Sequence, residues 1–424
     1  MTKTTADDYW PNEFFSELTA LFTGDRGDEL KSERLAEMYE RAAAEITSPA
    51  IANPQRALAE ELGQRAAFET RLAARWGRGL DLADLAIQES LECGRWVNSL
   101  LRPGAAARQD QKFEALIRLH GKAAMTAQEV LVLLRSGFSS GALARWRTLH
   151  EVWVVFLVLA DGDERLSRRY LVHEVVESLK AQKEYEETWE ALGQEPPGWT
   201  ATDREETRSS LSDEFGSAFL KDYGWASPLF NDQAPKFRQL QETVDLGHWR
   251  GYYRMASHGT HANPKGVSWN IQAMQTVETV WAGPSNAGLV DPAQCTLIAL
   301  ANLTVGLLSY AVREMAASDD EILHQSIALV RQQSILILMD RAIDSFAETD
   351  AQQKTEEEEI QVLIRSAAEA LRRQSSMTSA QLSIELEMDP ETLEEALRAA
   401  VERQELVGET TYRLEEDGLD EQDA

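Results

Sequence analysis

The segment Ala142 to Ala160, ALARWRTLHEVWVVFLVLA, limits this chain most strongly, because a helically spaced apolar run there carries Arg145, Arg147, His150 and Glu151 within two turns. Trp146, Leu149, Trp153 and Phe156 form one large apolar stripe, and Leu143, Val154 and Leu157 extend the other side, so the helix belongs in a core. Charge carried into a core must be paired, since an isolated buried ion is costly. Arg147 and Glu151 lie four residues apart, about 40° in azimuth, so their side chains can meet, with His150 beside them on the same broad face. Two accounts fit. In one, the ion pair fixes helix packing and a neighbouring carbonyl satisfies His150. In the other, Arg147, Glu151 and an incoming histidine line a pocket for a polar or anionic ligand.

The segment Tyr252 to Gly266, YYRMASHGTHANPKG, is the best source of that incoming group. His258 and His261 stand three apart at a predicted helix end, and Asn263-Pro264-Lys265-Gly266 is a loop signal that projects them outward. A His-x-x-His pair suggests metal, but the His-Glu-x-x-His order is missing and no cysteine is near. Carboxylate-bridged di-iron bundles need Glu-x-x-His on two helices, and the chain has it once, at Glu321 to His324. Neither a metal nor a cofactor is expected. GxGxxG, GxxxxGK[ST] and GxSxG are absent too, which leaves common nucleotide and hydrolase chemistries without support. His120, His173 and His324 read as structural histidines.

Three- and four-residue apolar spacing persists along nearly the whole chain, and strand-like alternation is rare, so the fold class is all-α, a multi-helix bundle. Candidate helices cover Asn12–Phe22, Glu29–Ile46, Gln55–Trp76, Leu80–Leu101, Gln111–Arg135, Gly141–Ala160, Glu164–Leu192, Asp203–Tyr223, Gly247–Ser257, Pro292–Ala316 and Asp319–Phe346. Breaks are expected at Ser48–Pro54, Arg102–Gly104, Gly193–Trp199 and Trp281–Asp291, where Pro and Gly cluster. The expected organisation is an N-terminal helical region over 1–110, a central bundle with the candidate site over 111–347, an acidic linker over 348–359, and a small C-terminal domain over 360–424.

That last domain resembles a winged helix. A helix over Ile360–Gln374 is followed by Thr378–Met388, the turn Asp389-Pro390, a second helix Glu391–Gln404, and a wing from Leu406–Gly408 and Thr410–Leu414, with Thr378 and Asp389 as N-caps. Its second helix offers Glu391, Glu394, Glu395 and Glu402 against Arg398 and Arg403, so DNA readout is disfavoured. From Thr355 onward six Arg and no Lys face twenty Asp and Glu, about half of the net charge of −29. A homo-oligomer or protein contact through this domain is expected instead. Only Cys93 and Cys295 are present, the N-terminus lacks a cationic-then-apolar order, and the most apolar runs fall short of the ~18 residues of a membrane span. A cytoplasmic protein without membrane contact is the expectation.

Two family resemblances bear on the centre. The order RTLHE (Arg147 to Glu151), RRY (Arg168 to Tyr170), Trp225, then Tyr253, Ser257 and His261 ahead of Asn263-Pro264 resembles a bacterial helical family of unknown function, DUF5677-like, over roughly 111–271. The resemblance implies that Arg147, Glu151, Tyr253, Ser257 and His261 share one polar core; His150 stands where such a family would carry a varied, mostly apolar residue. Separately, Arg145 to His150, RWRTLH, is similar to the Arg-to-His spacing of small helical ribonucleases of the HEPN type, found in toxins and antiphage systems. That likeness implies a histidine assisting proton transfer at the ribose 2′-hydroxyl and an arginine holding the phosphate, without metal. Residues five apart diverge by about 140° on a regular helix, so sharing a site would need a distortion or a second subunit. Residues 135–173 do form a basic island, six Arg against four acids.

The expected function is a metal-independent RNA-cleaving or phosphate-ligand-binding effector of a toxin or antiphage defence type. Arg145, Arg147, His150, Glu151 and His261 are its catalytic candidates, and Arg168, Arg169, Tyr253, Ser257, His258 and Asn263 its ligand-binding candidates. The alternative is a non-catalytic sensor or adaptor.

Overall fold

The computed structural model describes residues 18–19, 28–194, 201–261, 264–268, 283–315, 319–373, 377–386, 393, 406–407 and 413–414. The chain divides into two compact units, Met1–Arg71 and Leu72–Ala424. In the first, α1 (Asp28–Ala52) buries Met38 and Ala42, one turn apart, and the short α2 (Pro54–Ala57) starts at Asn53, whose side chain accepts from Arg56 N at 3.1 Å.

The fold is all-α. After α3 (Ala59–Arg108) come α4 (Gln111–Arg135), α5 (Ser139–Asp161), α6 (Glu164–Ala191) and α7 (Ala201–Phe215), then 3₁₀ turns at Ser217–Leu220 and Gly224–Phe230. The chain continues through α8 (Phe237–Thr243), a 3₁₀ turn at Gly247–Trp249, α9 (Arg250–His258), α10 (Pro264–Ser268), α11 (Val290–Glu314), α12 (Asp319–Arg373) and α13 (Ser379–Glu385). Two-residue strands β1 (Leu406–Val407) and β2 (Arg413–Leu414) pair antiparallel, Leu406 opposite Leu414.

Helices α4, α5 and α11 pack on one another, α12 lies along α11, and α9 crosses α5. Asp110 caps α4 by accepting from Phe113 N at 2.8 Å, and Asp163 caps α6 by accepting from Leu166 N at 2.8 Å. Gly137, at φ +76°, takes the left-handed conformation that ends α4 and turns the chain into α5. Trp146, Leu149 and Phe156 of α5 are wholly buried, each contributing roughly 1.5–3 kcal/mol of apolar transfer energy. The Trp146 indole donates to Cys295 O of α11 at 2.9 Å. Glycines set the closest approaches: a Cβ at Gly94 would fall 2.6 Å from His120 Cε1, and one at Gly306 would fall 2.8 Å from Phe156 Cε1.

His120 lies at the centre of a buried polar cluster. Its Nε2 is 3.4 Å from Ser90 Oγ and 3.3 Å from Thr304 Oγ1, and the two hydroxyls are 2.7 Å apart. Burial pushes its pKa down to about 4, which keeps the ring neutral. His173 is likewise structural, 3.1 Å from Lys221 O and edge-on to Phe219.

Several sequence expectations change. The break at Ser48–Pro54 moves, because α1 runs through Pro49 to Ala52, and the expected helices over 55–76 and 80–101 are joined in α3, which also passes Pro103 without a break. A proline removes one backbone bond, whereas the surrounding turns bury Val97 and Ala105 and hold Arg102 to Glu114 of α4 at 2.5 Å. The acidic stretch 348–359 is not a linker but part of α12, which extends well beyond the expected end at Phe346. Glu, Lys and Gln are good helix formers, the pairs Lys354–Asp350 (2.7 Å) and Gln353–Glu357 (2.8 Å) span single turns, and Glu356 meets Arg75 at 2.7 Å. The glutamates there face solvent. Helix α11 is long and apolar enough to cross a membrane, but 67% of its most apolar window is buried within the protein.

In the C-terminal region, Thr378 caps α13 in a reciprocal box with Gln381, and β1 and β2 fall within the two stretches, 406–408 and 410–414, read as short strands. Most of the expected second helix, with Asp389 and Pro390, lies outside the described residues, as does most of the candidate helix Asn12–Phe22.

Candidate functional site

The polar residues of α5 divide between its two sides. Arg145 turns toward α4, where its Nε donates to Glu129 and its Nη1 to Thr148 Oγ1 at 3.4 Å. It shares no contact with His150 among the described residues, as the azimuth of residues five apart requires. His150 is 0% exposed. Rings of Trp146, Trp153, Phe237, Trp249 and Tyr253 surround it at centroid distances of 5.3–6.3 Å. Burial, with a smaller effect from the charge of His248, pushes its pKa down to about 4. Its Nε2 lies 2.8 Å from Gln241 Nε2, an amide that only donates, so the ring proton sits on Nδ1, which has no partner among the described residues. The shared site that the ribonuclease likeness implies for Arg145 and His150 is therefore corrected: the ring is sealed from solvent, and the guanidinium turns to Glu129 of α4.

Arg147 and Glu151 face α9. Arg147 Nη2 donates to Tyr253 Oη at 2.6 Å and lies 3.1 Å from Glu151 Oε1, while its Nε donates to Ser257 Oγ at 3.1 Å. Tyr253 Oη in turn donates to Glu151 Oε1 at 2.5 Å, and Ser257 Oγ to Tyr253 O at 2.9 Å. Tyr253 and Ser257 stand one helical turn apart on α9, so both hydroxyls reach one guanidinium. Burial first, then the hydrogen bond to Glu151 and its charge, hold the Tyr253 phenol well above its usual range, so it stays protonated and keeps donating. The Arg147 and Glu151 side chains are 29% and 30% exposed. Solvent therefore reaches a network whose halves come from segments about a hundred residues apart. Among the described residues Arg147 Nη1 and Glu151 Oε2 take no part in these bonds, which leaves one donor edge and one acceptor open.

Tyr223 extends this network. It stands in the left-handed region at φ +55°, a strained conformation for a bulky residue. Burial and the Glu151 charge push its phenol up to about 12, with Arg147 opposing. Its ring packs on Phe237 at 5.9 Å, and Phe237 packs on Tyr253 at 5.1 Å. Arg169 holds that segment in place. Its guanidinium donates to Trp225 O (3.0 Å), Phe215 O (3.2 Å), Gly224 O (3.2 Å) and Ser227 Oγ (3.0 Å). Gly224 permits the fold there, since any Cβ would strike the backbone of Ala218 and Phe219.

The remaining candidates fall elsewhere. Arg169 thus clamps a turn, and Arg168 pairs with Glu214 at 2.5 Å on the surface. His258 is half-buried at the end of α9, His261 is exposed in the following turn, and Asn263 lies outside the described residues. Among the described residues Arg147 bonds Glu151, Tyr253 and Ser257 but not His261, and no cluster of three metal-ligating side chains occurs. Sequence reasoning missed Tyr223, Phe237, Gln241 and Trp249, whose roles depend on turns that bring separate segments onto α5.

No curated protein and no solved structure matches the chain. Residues 113–274, the stretch that supplies Arg147, Glu151, Tyr223, Tyr253 and Ser257, match the model of a family of unknown function, DUF5677, and the central helical region is similar to that family.

Proposed function

We propose that the central region is a phosphate-ligand-binding effector whose site is the Arg147–Glu151–Tyr253–Ser257 network, with mononucleotides as the smallest ligands it takes. One observation carries this reading: two remote segments build a hydrogen-bonded polar cluster that solvent still reaches, at 29% and 30% exposure of its charged pair. A purely architectural pair in a helical core has no need of an open edge. Arg147 is held on three sides, so its remaining Nη1 is a fixed donor for an anionic oxygen. The half-buried rings of Tyr223, Phe237 and Tyr253 beside it offer an apolar wall for a planar group. Should RNA cleavage accompany binding, proton transfer falls to Glu151 and Tyr253, because His150 is enclosed.

Calorimetric titration with AMP, UMP and inorganic phosphate tests this, alongside gel analysis of total RNA incubated with the protein. Arg147→Lys keeps the charge but loses the guanidinium fork, and should weaken nucleotide binding at least about tenfold while leaving the thermal midpoint within a few degrees. A wild-type protein that binds neither AMP nor UMP refutes the reading. Loss of stability in Arg147→Lys and Glu151→Gln without any ligand effect assigns the network to architecture.

A further inference from the structure

Beside the row of α9 that meets α5 lies charge that the bundle leaves uncompensated. From Gly247 to Gly266 there is no Asp or Glu, in a chain whose net charge is −29, while Arg250, Arg254 and Lys265 are present with three histidines. Arg250, Arg254 and Lys265 are exposed, and none of them pairs with a carboxylate among the described residues. Six other arginines of the bundle, Arg102, Arg118, Arg135, Arg145, Arg168 and Arg331, each hold an acidic side chain. Like charges one turn apart repel, and an anion laid across them relieves that repulsion.

Position on the helix ties this row to the network. Arg250 and Arg254 precede Tyr253 and Ser257 by three residues each, which places the two rows about 60° apart around α9, side by side along its axis. We infer that this face of α9 docks single-stranded RNA, with Arg250 and Arg254 holding consecutive phosphates and the Arg147 network taking one nucleotide of the same strand. This rests on the nucleotide reading of that network. A single strand fits because its unstacked bases can turn onto the half-buried rings of Tyr223, Phe237 and Tyr253, whereas a duplex keeps its bases paired. An acidic peptide would fit the arginines, yet it would set its carboxylates against Glu151. A ribose answers that carboxylate differently, since its 2′-hydroxyl can donate to Glu151.

Fluorescence anisotropy of a labelled oligouridylate with the full chain, across a salt series, tests the inference. The double variant Arg250→Gln/Arg254→Gln, whose side chains are exposed, should bind the oligomer at least about tenfold more weakly. Its plot of log affinity against log salt should be shallower by about 1.4, from two phosphate contacts at about 0.7 each, with UMP binding unchanged. Wild-type and double-variant affinities and salt slopes that coincide overturn the inference, as does a wild-type protein that binds UMP but gains nothing from the oligomer. Equal binding of oligodeoxythymidylate or polyglutamate overturns the choice of RNA. Absence of UMP binding with oligomer binding intact refutes the Arg147 reading alone.

Discussion

Lowering the pH from 7 to 5 should destabilise this protein by about 4 kcal/mol through two histidines. His120 and His150 are 2% and 0% exposed, and burial pushes each pKa from 6.5 to about 4. Between those values the unfolded chain takes up a proton that the folded ring refuses, so stability falls as pH drops below 6.5 and the loss is complete below about 4. At pH 5 most of the unfolded imidazole is charged and little of the folded, which gives about 2 kcal/mol for each residue. His173, lowered in the same direction by burial, adds to the trend. Urea unfolding followed by circular dichroism at pH 7 and pH 5 measures the difference, and carboxylates contribute little in that window because they titrate lower. His150→Gln should retain the fold and remove about half of the pH dependence. The reasoning is refuted if the wild-type midpoint moves by less than a quarter of the expected amount, or if His150→Gln leaves the pH dependence unchanged.

Other expectations follow from packing. Gly94→Ala would place a methyl 2.6 Å from the His120 ring, and urea unfolding should show a cost of about 1–3 kcal/mol. Arg169→Ala strips donors from three carbonyls and one hydroxyl, so a loss of about 2–4 kcal/mol is expected, together with weaker mononucleotide binding as Tyr223 is released. Burial pushes the Cys93 and Cys295 thiols up to about 12; both should resist maleimide in the native protein and react only on unfolding, and rapid native labelling would contradict the packing. Ile322, Leu329, Val330 and Ile337 of α12 are exposed within about 100° of one another; if a second copy covers them, Val330→Glu should lower the sedimentation coefficient, and an unchanged value would exclude that contact.

The candidate site was partly legible. Arg147 and Glu151 could be paired because four-residue spacing on a helix is a local rule, and Tyr253 and Ser257 entered through a resemblance to a family pattern. His150 could not be placed by such rules. It sits between the two stripes of α5, and whether it meets solvent or five rings depends on where Phe237, Trp249 and Tyr253 are carried by later turns. The same holds for Arg169, which reads in sequence as one of a basic pair and in space as the bracket of a turn.

Periodicity by itself determined that the chain is helical, that α5 is a core element, and that α4 begins and ends at Gln111 and Arg135, because spacing and caps act within a few residues. Only the tertiary structure decided that Pro103 and the glutamate run at 356–359 lie inside helices, and which of four ionisable groups on α5 are spent on the fold. Local propensity contributes tenths of a kcal/mol per residue, and packing against a neighbouring segment contributes several times more. The neighbour therefore settles both whether a helix continues and which side chain is left open to a ligand.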